Sequence, residues 1–453
     1  MDDRDSLLAA CRVGHEWLAL RTRVLRVPGV QAAVRAGGAL LLDAAYGLAD
    51  LERGVPLTTG HLFRIASHSK MFTATAVLQL VDSGRLRLDD RLGEHLGWVP
   101  ADVAGVTVRD LLSHGSGVLR DGPDADHWLL AHPFPDADEL RLLLGPRVLA
   151  PQERFKYSNV GYALLGLVVE AVTGRRYNDH VTTAILEPLG LTDTRPELDL
   201  ERLADYATGH TGLVTSDTRT ALPHADSRAL SPATGFSSTA RDLSAFAAAH
   251  AFGDTRLISD GAKRLAQREE WEVEGADTHY GLGFEVLRVG ARRMVAHGGA
   301  YPGYITRTLL DPATGLAVSV LTNAIDGPAA DLASGLVKLM DRACSATKDG
   351  TADGLTRFTG GYANIWGRLD VALFGAELLG LRLDQPDPLK GALELSRVDD
   401  ATLVVTGGGT GYGAYGETLQ YRFGPSGEVL SVRGPGGITS LPVPPLPFAS
   451  PAP

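Results

Sequence analysis

Ser67-His68-Ser69-Lys70 follows the apolar run Leu62-Phe63-Arg64-Ile65-Ala66 and leads into a helical pattern from Met71 to Val81. Residues three apart on a helix share a face, one turn apart. A serine in the first turn has its own backbone N–H pointing at whatever binds there, in the positive field of the helix end. Met71, Phe72, Val77 and Leu78 surround the register of Lys70. Burial lowers a lysine pKa, so Lys70 can take the Ser67 proton near neutral pH, which makes a nucleophile without a histidine. The competing reading of the same residues is a helix N-cap serine with a surface lysine. A second copy, Ser345-Ala346-Thr347-Lys348, runs into Asp349-Gly350-Thr351-Ala352-Asp353-Gly354, which is linker chemistry with no buried helix.

A Ser–Lys pair needs a second proton carrier and an oxyanion hole. Tyr157-Ser158-Asn159 offers the first, after the loop Pro151 to Lys156 and before a helical pattern from Val160. A phenol beside a lysine ammonium is expected to have a lowered pKa and to relay a proton to a leaving group. The Asn159 amide can hold either Lys70 or a substrate carbonyl. His297-Gly298-Gly299-Ala300 offers the second, at the end of a strand expected to stop at Ala296. Its two glycines let a substrate backbone approach, and the Ala300 N–H joins that of Ser67 in an oxyanion hole. Each motif has a decoy: Tyr362-Ala363-Asn364 lies on a later strand, and His210-Thr211-Gly212 in an irregular loop.

The rest of the chain supports an α+β layout. An amphipathic helix spans 6–26, and strand-like pieces follow at 29–35, 39–45 and 46–50. Residues 106–250 read as mostly helical, with Gly174 stopping the helix from Val160. Strands recur at 283–289, 293–297, 304–311 and 316–323, and a last helix, 329–344, is expected to pack across them. The expected architecture is one antiparallel sheet flanked by a helical lobe. Eight short alternating segments between 361 and 441 read as a small up-and-down β-barrel. The expected domains are therefore 1–344 (catalytic), 345–355 (linker) and 356–453 (barrel). A glycine-rich loop, Gly407 to Gly416, belongs to the barrel. Its Gly411-Tyr412-Gly413-Ala414-Tyr415-Gly416 spells a dinucleotide fingerprint but opens no helix, so no nucleotide is expected.

Composition narrows the class. The chain has 453 residues and a net charge of −11, which argues against nucleic acid or an anionic membrane as a partner. Cys11 and Cys344 are far apart and imply no disulfide framework. The acidic start, Met1-Asp2-Asp3-Arg4-Asp5, lacks the signature of a signal peptide, and no apolar run reaches transmembrane length, so a cytoplasmic protein is expected. The 13 histidines show no metal-ligand spacing, and neither metal nor cofactor is expected.

The order Ser67-x-x-Lys70, Tyr157-x-Asn159, His297-Gly298-Gly299 resembles the serine β-lactamase and penicillin-binding-protein superfamily. More narrowly it resembles class C β-lactamase-like hydrolases, including D-aminopeptidases and related esterases. Phe63 to Ser67, the segment Val106-Thr107-Val108-Arg109-Asp110-Leu111-Leu112-Ser113-His114-Gly115-Ser116-Gly117, Ala233 to Leu243 and Tyr280 to Gly283 extend the likeness. It implies that Ser67 is acylated, that Lys70 and Tyr157 share base and acid work, that the N–H groups of Ser67 and Ala300 form the oxyanion hole, and that Asn159, His297, Gly298 and Gly299 line the substrate. It also implies a lipocalin-like C-terminal barrel of the kind appended to D-aminopeptidases. Where many penicillin-recognising relatives carry Lys-Thr-Gly, this chain has His297-Gly298-Gly299, a poorer anchor for a substrate carboxylate. The expectation is a serine hydrolase releasing N-terminal amino acids, D-configured ones among them, from short peptides. A carboxylesterase is the alternative, with a β-lactamase or a non-catalytic scaffold behind it. The barrel is free to guard the cleft, bind a ligand or build a homo-oligomer.

Overall fold

The computed structural model describes residues 3–346, 354–409 and 414–448. Two compact units result: Val27–Ala330, and Met1–Arg26 together with Asp331–Pro453. Among the described residues, the helices longer than ten residues are α1 (Asp3–Val24), α2 (Ser69–Asp82), α3 (Asn159–Thr173) and α4 (Ala329–Ser345). None is long and apolar enough to cross a membrane.

The first unit is built on an antiparallel sheet of nine strands. These are β1 (Gly29–Ala36), β2 (Ala39–Asp50), β3 (Val55–Pro56), β4 (Trp271–Glu272), β5 (Thr278–Tyr280), β6 (Glu285–Val289), β7 (Arg292–Tyr301), β8 (Tyr304–Asp311) and β9 (Leu316–Thr322). Their order is β3-β2-β1-β9-β8-β7-β6-β5-β4. The first hairpin thus joins the last strands edge to edge, and the helical lobe is the long insertion between β3 and β4. Two strands differ from expectation. β2 runs unbroken through Gly47, whose φ of +81° bends the strand and whose missing side chain would otherwise strike the Pro28 carbonyl. β7 continues past Ala296 because β8 pairs with it from His297↔Thr308 to Tyr301↔Tyr304. The short strands β4 and β5 lie outside the pattern read from sequence.

Residues 71–81 carry no charged side chain. A helix apolar on every side must be buried, and α2 is buried over almost its whole length. The Phe72 ring stacks on Phe236 at 4.4 Å and Phe246 at 3.7 Å. α3 starts at the Ser158 N-cap, whose side chain accepts from Gly161 N–H, and ends at Gly174 with φ +70°.

The second unit holds a closed eight-stranded antiparallel barrel: β10 (Gly360–Asn364), β11 (Gly367–Phe374), β12 (Glu377–Leu381), β13 (Leu393–Arg397), β14 (Thr402–Gly408), β15 (Thr418–Phe423), β16 (Val429–Arg433) and β17 (Thr439–Val443). Alternate residues, among them Val371, Leu378, Leu403, Leu419 and Val432, fill its interior. α1 and most of α4 group with the barrel in the second unit. The physical reason is Trp17. Its ring covers Gly335, where a Cβ would lie 2.2 Å away, and its Nε1 donates to the Gln385 carbonyl at 3.0 Å. Most of the expected linker (347–353), part of the glycine-rich loop (410–413) and the end of the proline-rich tail (449–453) lie outside the described residues.

Candidate active site

The chain enters the site through a strained turn. Phe63–Arg64 pairs with Ser237–Ser238, and Ile65 N–H donates to the Phe236 carbonyl at 2.9 Å. Ala66 then adopts φ +49°, in the left-handed region, and opens a single 3₁₀ turn that runs into α2. Such a conformation costs about 1–3 kcal/mol in a non-glycine residue. The Ser69 hydroxyl donates to the Ala66 carbonyl at 2.6 Å and accepts from Phe236 N–H at 3.0 Å, tying the turn down. Ser67 does not cap α2: the N-cap is His68, with no side-chain capping bond. His68 is buried and held by the Ile65 carbonyl and Thr308.

Lys70 is fully buried. Its Nζ lies 2.7 Å from Asn159 Oδ1, 2.8 Å from the Ala233 carbonyl and 3.3 Å from Ser67 Oγ. The ring centroids of Tyr157 and Tyr162 lie 4.7 and 5.5 Å away. Burial drives its pKa well below 10.5; Asp121 opposes that and Arg120 adds to it. The Asn159 amide is oriented by its other end, Nδ2, which donates to Asp121 Oδ1 at 2.6 Å. Of the two roles open to Asn159 in the sequence, the structure shows contact with the lysine. A neutral amine has two N–H donors and one lone pair. With Asn159 and Ala233 taking the donors, the lone pair is left for the Ser67 hydroxyl.

Tyr157 OH donates to Ser67 Oγ at 2.8 Å. Its pKa is raised, not lowered as expected from a neighbouring ammonium. Burial is the main cause, and the Glu285 and Asp121 carboxylates add to it. The expectation failed because the neighbouring amine is itself pushed toward its neutral form.

Strand β7 forms the opposite wall. β6 pairs with β7 only as far as Glu285↔Ala296, so residues 297–301 keep one free edge. Gly298 N–H points to that side, 3.4 Å from Glu285 Oε1. Backbone N–H groups two residues apart on a strand point the same way, so that of Ala300 faces the free edge. Ala300, Ser67, Tyr157 and Asn159 line one cleft of about 1130 Å³ with His297, Gly298 and Gly299. The glycines do unequal jobs. A Cβ on Gly299 would lie 2.3 Å from the Ile65 carbonyl, so its bareness lets β7 abut the nucleophile turn rather than admit substrate. His297 is neutral, its pKa pushed down to about 4 by burial. Nε2 accepts from Tyr280 OH at 3.1 Å and Nδ1–H donates to the Gly298 carbonyl at 2.7 Å, so both ring nitrogens are engaged within the protein.

Sequence reasoning missed several groups. Arg307 faces Gly298 across β7 and β8, and its guanidinium reaches over that glycine to Glu285 Oε2 at 2.5 Å. Both line the cleft. Only the strand register, which no spacing reveals, brings them together. Asp121 and Arg120 follow the quoted segment closely, but nothing local ties them to Asn159. The decoys stay apart from this cluster: Tyr362 is buried in the barrel and donates to the Phe358 carbonyl, and His210 Nδ1 bonds the Asn323 carbonyl. Ser345 ends α4, exposed. Among the described residues no group of three His, Cys, Asp or Glu side chains is placed to hold a metal.

The Beta-lactamase family model matches residues 19–339. This chain belongs to the Beta-lactamase family. That is a family of serine hydrolases, and its fold accounts for the first unit. The chain is 31% identical over 290 residues to penicillin-binding protein 4* of Bacillus subtilis (strain 168), covering 60% of this chain and 62% of that protein. Protein flp of Staphylococcus aureus (strain COL) matches at 31% over 37% of this chain and 34% of its own length. The match thus spans less than two thirds of these curated relatives. Among solved structures, SurE aligns with a TM-score of 0.61 at 26% identity, covering 97% of this chain and 99% of that one. A D-stereospecific amidohydrolase from Streptomyces sp. aligns with a TM-score of 0.60 at 25% identity, covering 69% and 94%.

Proposed function

We propose that this family member is an amidohydrolase that works through an acyl-enzyme on Ser67 and releases N-terminal amino acids, D-configured ones among them, from amides or short peptides. The observation that carries the reading is the saturation of Lys70 Nζ. With two carbonyl-type acceptors on its N–H groups, its lone pair is left for Ser67 Oγ at 3.3 Å. In this route the Ser67 proton passes to Nζ as Oγ attacks the substrate carbonyl carbon. The carbonyl oxygen takes up negative charge between the N–H groups of Ser67 and Ala300. The C–N bond breaks as Tyr157 OH protonates the departing amine, and Tyr157 recovers a proton from Lys70. Water then attacks the ester, gives its proton back through the same groups, and frees Ser67.

Amide chemistry and D configuration are supported by the likeness to the D-stereospecific amidohydrolase. Carboxylate-anchored β-lactam chemistry is disfavoured by charge: the two guanidinium groups that line the cleft, Arg307 and Arg120, are already paired with Glu285 and Asp121, and His297 is neutral. The expected cytoplasmic location and the domain bounds 1–344 and 356–453 remain part of this reading.

Labelling with a fluorophosphonate probe tests the nucleophile: Ser67→Ala abolishes labelling and Ser345→Ala does not. A panel of D- and L-aminoacyl anilides against nitrophenyl esters tests the substrate. Turnover of esters with no anilide cleaved would replace the amidohydrolase by a carboxylesterase.

A further inference from the structure

We infer that His114 is a positioning residue for Tyr157, bracketing it on both sides so that its hydroxyl reaches Ser67; this rests on the proton route proposed above. Tyr157 sits at the end of a loop, where a side chain is held only as well as its backbone. His114 holds that backbone twice. Lys156 N–H donates to the His114 carbonyl at 2.8 Å, and Ser158 N–H donates to His114 Nδ1 at 3.1 Å. Between these two bonds lies Tyr157, and the His114 ring packs on its phenol with centroids 4.3 Å apart and planes at 36°.

The histidine carries two local costs for this. Its φ of +61° lies in the left-handed region. Because Nδ1 accepts, the ring proton is on Nε2, and Nε2 is buried with no hydrogen-bond partner among the described residues. The ring lies among those of Phe155, Tyr162 and Tyr280. An unpartnered buried polar group costs about 1–3 kcal/mol, which an apolar residue of similar size would avoid. Burial above all keeps the ring neutral, and the Arg120 guanidinium adds to it. Neutrality is required, since a protonated Nδ1 would confront the Ser158 N–H.

The test compares His114→Ala with His114→Asn. Asparagine carries an oxygen where Nδ1 stood and tolerates the left-handed conformation. Fluorophosphonate labelling of Ser67, kcat and KM on the best substrate of the panel, and the thermal midpoint are read for each. The alanine variant is expected to label about 10–100-fold more slowly, with kcat falling by the same factor and KM within about threefold. The asparagine variant is expected to return to within about fivefold of the native rate while losing thermal stability comparably. Equal rates in the two variants, native-rate labelling of the alanine variant, or a loss confined to KM would overturn the inference. If the alanine variant shows no cooperative melt, the asparagine variant decides alone: near-native kcat supports the role, and a loss of about 100-fold in a folded protein overturns it. A native chain unlabelled at Ser67 sinks the proton route itself, and the inference with it.

Discussion

Tyr157 donates a hydrogen bond to Ser67 across 2.8 Å from a position 90 residues further along the chain. The phenol is neutral and a donor, since burial raises its pKa. This divides the labour that the sequence leaves open. Lys70, pushed toward the free amine, is the base of the proposed route, and Tyr157 is the proton donor.

Tyr157→Phe keeps the ring beside Lys70 and removes only the hydroxyl. Labelling of Ser67 is expected to slow by about 10²–10⁴-fold, with stability changed by no more than about 1 kcal/mol. Stopped-flow labelling and a urea melt measure the two. Native-rate labelling would remove Tyr157 from the proton route.

The pH profile of acylation follows from Lys70. Protonation fills the lone pair that Ser67 needs, so the rate falls as pH drops through the lysine pKa and levels off above it. That pKa lies well below 10.5 because burial disfavours the ammonium. A labelling profile whose midpoint sits near 10.5 would describe a solvated lysine. Lys70→Arg, protonated at every accessible pH, is expected to show no labelling across the profile.

Glu285 predicts an acid-sensitive fold. Burial would raise its pKa, but the Arg307 guanidinium beside it holds it down to about 2. The unfolded value is about 4.3. The native state therefore binds the proton less readily, and the stabilisation is complete above about pH 4.3 and lost as pH falls toward 2. It amounts to about 1–3 kcal/mol. Glu285→Gln is expected to flatten the stability curve between pH 5 and 2 in chemical melts; an unchanged slope would mean that the pair is solvated.

The two glycines of β7 are expected to respond differently to alanine. Gly299→Ala puts a Cβ on the Ile65 carbonyl, a backbone atom of the nucleophile turn, and is expected to cost about 1–3 kcal/mol and to slow labelling. Gly298→Ala meets the Arg307 guanidinium at 3.2 Å, the movable end of a side chain, and the Thr306 carbonyl at an ordinary contact distance of 3.7 Å, and is expected to cost less than about 1 kcal/mol. Urea melts of both variants rank them. Equal costs would show that β7 does not abut the turn.

The sequence by itself determined the long elements and which side chains carry the nucleophile and its amine. The charge-free run after Lys70 dictates a buried helix, and a lysine one turn into such a helix loses its water. Alternation in short segments between 361 and 441 dictates strands, and eight of them in even succession leave closure as the way to satisfy their edges. What only the tertiary structure decided are relationships set by register and by distant packing. The pairing of Gly298 with Arg307 brings a guanidinium over the glycine to Glu285, and the docking of Trp17 on Gly335 carries α1 to the barrel unit. The neutral state of Tyr157 belongs with these. A phenol's pKa depends on whether the amine beside it is charged, and that charge is set by burial contributed from α2, α3 and the Ala233 segment together, which no local stretch of residues encodes.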